Sequence, residues 1–263
     1  MNPVPAQLLV RREGPVLVLT ISNPALRNAM HPAMYRTGAT AVAEAAFDPA
    51  VRAIVITGEG EHFCGGGDLN RLRQQRALPR QEQLDHLDAL HGWVMALQAA
   101  PQPVIAAVEG AAAGGGFSLA LGCDLVVAAE DANFVMSYSR IGLSPDGGGS
   151  DSLARALPPQ AALELLLDGG SCSAARLHGW GVVNKVVPHG TALAAAMDWA
   201  TRLSRGMPGA QADIKRLVYA ARDADRRTQL DAERDAFVAN LYGDDAGRAI
   251  AAFLDKTAKP RTP

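Results

Sequence analysis

Residues 103–121, PVIAAVEGAAAGGGFSLAL, decide how the rest of the chain is read. The run Pro103–Val108 is short and continuously apolar, the pattern of a strand buried on both faces. It is followed by the triplet Gly114-Gly115-Gly116, and the segment through Leu121 reads as a loop entering a helix. The same order occurs upstream, where Arg52–Thr57 (RAIVIT) leads to Gly65-Gly66-Gly67. A glycine-rich turn entering a helix leaves backbone N–H groups pointing at whatever sits in front of it. Two such turns facing each other can offer two donors to one oxygen, the arrangement of an oxyanion hole. Cradling a nucleotide phosphate calls for GxGxxG or GxxxxGK[ST], and neither pattern is present.

Outward from these loops, strand and helix signals alternate. Residues 8–21 read as two short strands around Glu13-Gly14-Pro15. Pro32 opens a helix over 32–47. The polar stretch 68–83, rich in Arg and Gln, is expected to be exposed and mobile. Leu84, Leu87, Leu90, Val94 and Leu97 place a helix over 84–99. Leu125–Ala129 is a further strand, and a third triplet, Gly147-Gly148-Gly149, lies in a loop over 141–150. Helices are expected at 151–156 and 160–167, and Ser173 caps a short one. Val182–Val187 is a late strand; from Leu193 the pattern is helical, with a break at Pro208. The alternation predicts an α/β core over 1–190 with a helical region, 191–263, appended to it.

Composition removes several classes of function. With 25 Lys+Arg against 27 Asp+Glu, the net charge of −2 gives no field for nucleic acid or acidic membranes. The 263 residues, 48% hydrophobic and 20% charged, suit a globular chain with a sizeable core. Cys64, Cys123 and Cys172 have neither disulfide-framework nor zinc-site spacing, so no metal is expected. The most apolar stretch, Val104–Ala129, is interrupted by Glu109, Asp124 and five glycines and fails as a membrane span. The N-terminal residues lack the basic-then-apolar order of a secretory leader. A soluble, cytoplasmic protein is expected.

Several blocks carry a family resemblance. Asn23-Pro24…Asn28-Ala29-Met30, then Thr57-Gly58-Glu59-Gly60…Phe63-Cys64-Gly65-Gly66-Gly67-Asp68-Leu69, resembles the enoyl-CoA hydratase/isomerase (crotonase) superfamily. So does Pro103–Gly110 leading into Gly114-Gly115-Gly116 and Gly122-Cys123-Asp124, and the likeness runs to Ala252-Phe253-Leu254-Asp255-Lys256. The resemblance implies a spiral of repeated ββα units followed by a C-terminal helical region for trimerisation. It also implies an acyl-CoA thioester as substrate, with coenzyme A entering only as part of it, and a homotrimer or a dimer of trimers. Carried over position by position, the oxyanion donors are the backbone amides of Gly67 and Gly115. Contacts to coenzyme A are implied for Arg27, Asn28, Ala29, Gly65, Asp68, Leu69 and Asn70, with Phe253 and Lys256 reaching a neighbouring subunit's ligand.

What is missing narrows the reaction. Hydratases of this family are similar in carrying two glutamates; those positions hold Ser118 and Tyr138 here. One acid stands in Ile141-Gly142-Leu143-Ser144-Pro145-Asp146-Gly147, a loop that resembles the enoyl-CoA isomerases and the epoxide-isomerase branch of phenylacetate breakdown. A single base suffices to move a double bond, because no water has to be activated. Asp146 is thus the expected acid/base of an acyl-CoA isomerase. Alternatives are an aryl-CoA dehalogenase or hydrolase with Asp146 as nucleophile and His91 as base, a divergent hydratase, and a CoA-binding member without activity. Asp146 as an ordinary turn residue and His91 on a solvated helix face are the plainer readings of each.

Overall fold

The computed structural model describes residues 6–258, with side chains through Asp255. The chain opens with a hairpin of β1 (Gln7–Glu13) and β2 (Val16–Ser22), paired antiparallel with Glu13 opposite Val16. Gly14 supplies the left-handed backbone (φ 56°) of the turn. Helix α1 (Pro32–Phe47) begins at a proline, whose missing N–H costs nothing in the first turn. After β3 (Ala53–Gly58) come α2 (Leu69–Gln75), α3 (Arg80–Ala99), β4 (Val104–Val108), β5 (Ala111–Ala113) and α4 (Gly115–Leu121). The core continues with β6 (Leu125–Ala129), β7 (Asn133–Val135), α5 (Gly149–Ala156), α6 (Pro159–Leu163), β8 (Ser171–Ser173), α7 (Ala174–Gly179), β9 (Lys185–Val187) and α8 (Ala192–Leu203).

Six strands form one sheet in the order β1-β2-β3-β4-β6-β9, parallel from β2 onward. A smaller sheet, β5-β7-β8, follows from the short strands that leave β4 and β6. Bridges from Cys64 to Ala112 and from Met30 to Gly67 extend this small layer upstream. Each turn of the spiral therefore runs from a large-sheet strand to a short small-layer strand and then into a helix. This is the crotonase-like ββα spiral.

The continuous apolar strands are explained by burial on both faces. Leu17, Leu19, Ile21, Ile54, Ile56, Val104, Ala106, Val108, Val126 and Ala128 face the main core with α1, α3 and α4. Their alternates, Val16, Val18, Ala53, Val55, Ile105, Ala107 and Val127, pack with Ala192, Ala196 and Ala200 of α8. That packing moves the expected boundary. The chain divides after Arg205, not at 190, because α8 belongs to the sheet and only α9 (Pro208–Ala220), α10 (Arg226–Leu241) and α11 (Asp244–Ala258) form the second unit.

Other expectations are also corrected. The stretch 68–83 is helical over 69–75 and again from 80, with Asp68 accepting a hydrogen bond from Asn70 N–H (2.8 Å) to cap α2. The helix expected over 160–167 is α-helical only to Leu163, then widens through Glu164–Asp168.

Helices α1 and α3 meet at Gly38, where an added Cβ would stand 2.2 Å from the indole of Trp93. Trp93 is fully buried and has nowhere to retreat. Gly38→Ala is expected to destabilise the fold by about 1–3 kcal/mol through overpacking, more than the small gain in helix propensity, as read by denaturant unfolding.

Candidate active site

The first glycine loop is held from two sides. Gly65 N–H donates to Arg27 O (2.7 Å), and Gly66 O accepts from Met30 N–H (2.7 Å). Cys64 pairs with the small layer, its N–H to Ala111 O and its O from Ala113 N–H, both at 2.9 Å. The second loop follows directly from that pairing, since Gly114 (φ 50°) turns the chain into α4. The two loops touch: a Cβ on Gly66 would lie 2.7 Å from Ala113 O and 3.6 Å from Gly115 N. Neither Gly67 N–H nor Gly115 N–H has an acceptor among the described residues. Two backbone donors, one in each glycine loop, are thus without an internal acceptor among the described residues.

Asp146 stands beside the second donor. Its Oδ1 is 3.5 Å from the position a Gly115 Cβ would take, and Met30 Cε is 3.2 Å from the same point. Tyr138 O–H donates to Asp146 Oδ1 at 2.6 Å. The phenol is buried, and burial followed by the charge of Asp146 pushes its pKa well above the ordinary tyrosine value. Ser118 is fully buried on α4, and its Oγ has no hydrogen bond of ordinary geometry among the described residues. The third glycine triplet makes room for it, since a Cβ on Gly149 would fall 2.5 Å from Ser118 Oγ. Leu90 of α3 closes over Gly147, 3.4 Å from where its Cβ would be. Asp146, Tyr138 and Ser118 are therefore brought together at Gly115, and Asp146 is the carboxylate among them.

The positions implied for coenzyme A surround the first loop. Arg27 and Asn28 have left-handed backbone, at φ 50° and 58°. The Asn28 amide is committed internally, donating to Glu59 O (2.9 Å) and His62 O (2.6 Å), and its backbone N–H donates to Asn23 O (2.8 Å). Asp68 is occupied as the cap of α2, and Leu69 is exposed. Ala29 is buried with its N–H donating to Leu26 O at 2.9 Å. Phe253 is exposed on α11, and the side chain of Lys256 lies outside the described residues. His91 sits on the exposed side of α3, whereas its neighbour Leu90 packs toward the loop; the solvated-face reading fits.

One further group of metal-ligand type occurs away from this site: Glu109, Asp131 and His189. Both Glu109 oxygens accept backbone amides, from Gly190 (3.1 Å) and Ala192 (2.7 Å), and His189 pairs with Asp131 at 2.9 Å. The cluster is accounted for as the anchor of α8. Among the described residues, no helix is long and apolar enough to cross a membrane.

Sequence reasoning placed Tyr138 at a missing glutamate position and did not anticipate its bond to Asp146. Its bond to Asp146 depends on the turn Ser139–Ile141 and on Gly142 (φ 72°), which fold the chain back on itself. Gly142, five residues before the third triplet, was the available sign.

The enoyl-CoA hydratase/isomerase family model matches residues 11–261. A 1,2-epoxyphenylacetyl-CoA isomerase of Escherichia coli K12 is 34% identical over 250 residues, 95% of either chain. A 2,3-dehydroadipyl-CoA hydratase of the same organism is 33% identical over 98% of either chain. Among solved structures, an enoyl-CoA hydratase from Polaromonas sp. JS666 superposes with a TM-score of 0.94 at 51% identity, covering 95% of this chain and 97% of that one. Matched over nearly its whole length in both sequence and fold, the chain belongs to the enoyl-CoA hydratase/isomerase family.

Proposed function

We propose that this family member is an acyl-CoA isomerase that works through an enolate, with Asp146 as its single acid/base. The observation that carries the reading is the placement of Asp146 Oδ1 at 3.5 Å from the Gly115 Cβ position, where the two usual glutamate positions offer only hydroxyls. The thioester oxygen accepts hydrogen bonds from Gly67 N–H and Gly115 N–H, so negative charge gathers there as the C2–H bond breaks. Asp146 takes that proton. Collapse of the enolate moves the double bond from C3–C4 to C2–C3, and Asp146 returns the proton to C4. Coenzyme A lies along Arg27–Ala29, Gly65 and Asp68–Leu69. Exposed Phe237 and Leu241 of α10 and Tyr242 just after it, with Ile250, Phe253 and Leu254 of α11, supply the apolar surface for trimer formation, with Lys256 toward a neighbour's ligand.

A second reading, hydration, is favoured by the names of several relatives, including the Polaromonas structure. Both are tested together in heavy water. A 3-enoyl-CoA should be converted to the conjugated 2-enoyl thioester, followed by ultraviolet absorbance, with deuterium followed by mass spectrometry. Demonstrated binding without conjugation or C2 exchange would sink the isomerase. Conversion of a 2-enoyl-CoA to a 3-hydroxyacyl product would assign the chain to hydration instead.

A further inference from the structure

We propose that Tyr138 is the positioning residue of Asp146: its hydroxyl fixes the carboxylate through Oδ1 and stabilises the charged form, leaving Oδ2 to face the substrate. The inference rests on Asp146 being the acid/base proposed above. It starts from an imbalance. A half-buried carboxylate ordinarily has a cation or several donors to compensate the water it has lost. Among the described residues Asp146 has no ion-pair partner, and its side chain accepts one hydrogen bond, the 2.6 Å contact from Tyr138.

The groups around this corner point the same way. From α2, Arg71 turns to neutral partners, donating to Gln75 Oε1 (3.4 Å) with its guanidinium 3.3 Å from His86 Nδ1. From α1, the Tyr35 phenol is pushed up by burial, with Arg71 pulling it down and Asp146 and Cys64 adding to the rise. Cys64, in the first glycine loop, is pushed up to about 12 by burial and stays a neutral thiol. From α4, Ser118 is uncharged; from α3, the contact is Leu90. Among the described residues, no cation forms an ion pair with Asp146. A phenol is suited to the post because burial and the neighbouring charge keep it protonated, so it donates throughout the working pH range.

The loss of the two glutamates then has a different meaning. At position 138 a carboxylate has been replaced by a donor to the remaining carboxylate. A second acid so close to Asp146 would repel its charge, whereas the hydroxyl supports it.

The test is Tyr138→Phe, which keeps the ring in its buried place and removes only the hydroxyl. Carbon-13 NMR follows the side-chain carboxyl of Asp146, assigned by its loss in Asp146→Asn, through a pH titration without substrate. The expected result is a midpoint about one to two pH units higher than in wild type. The acidic limb of kcat/KM for isomerisation should move upward by the same amount. Incorporation of 3-fluorotyrosine at position 138 restores a donor and should bring the midpoint back to or below that of wild type. An unchanged midpoint in Tyr138→Phe overturns the proposal. A raised midpoint in a protein that never exchanges C2 protons leaves the pairing standing and removes the isomerase reading, so the two fail separately.

Discussion

Asp146→Asn is expected to lower kcat for isomerisation by about 10²–10⁴-fold, the range for losing a positioned general base. Asparagine has the same shape, and its Oδ1 can still accept from Tyr138 O–H, so the loop over 141–150 keeps its path. What disappears, in the mechanism proposed above, is the atom that receives the C2 proton. Thioester affinity should be unchanged, since the two backbone donors and the first glycine loop are untouched. Steady-state kinetics, calorimetric titration with a saturated acyl-CoA and thermal unfolding separate these quantities. A kcat within about tenfold of wild type would take Asp146 out of the proton transfer.

Gly66→Ala is expected to cost about 10²–10³-fold in kcat, as much as losing an oxyanion donor outright. Gly66 has φ 91°, which an L side chain rarely adopts, and its Cβ would meet Ala113 O at 2.7 Å. The neighbour is backbone of the small sheet and cannot swing away. The two glycine loops must separate by a few tenths of an ångström, which in the proposed oxyanion hole would turn Gly67 N–H and Gly115 N–H away from a shared oxygen. Gly67→Ala is the control: the nearest atom to its Cβ is Leu72 Cδ1 at 3.8 Å, an ordinary contact, so its loss should be much smaller. Equal losses in the two variants would mean that loop separation is not the cause.

The strands that could be read from the sequence are those whose environment is uniform along their length. Ala53–Ile56 and Val104–Val108 are continuously apolar because both faces of β3 and β4 are covered, and that pattern needs no knowledge of partners. The three-residue strands β5, β7 and β8 carry too few residues for any period, and only their pairing defines them. Helix α2, LNRLRQQ, has no continuous apolar face and is set by its Asp68 cap. At the site the same division holds. Gly67, Gly115 and Asp146 lie in short motifs whose chemistry is local, whereas the Tyr138–Asp146 bond closes across eight residues and needed coordinates to be seen. The role of α8 was hidden because an alanine face looks alike whether it meets another helix or a sheet.

That alanine face sets the timetable of synthesis. Roughly 95 residues separate the end of β4 from the end of α8. At translation rates of about 5–20 residues per second, one side of the parallel sheet waits some 5–20 s for its cover to be made. During that wait Val16, Val18, Ala53, Val55, Ile105 and Ala107 form a bare apolar plate on the nascent chain. A stalled or truncated product ending before Ala192 keeps that plate permanently, and is the species a cell's holding chaperones and proteases would meet.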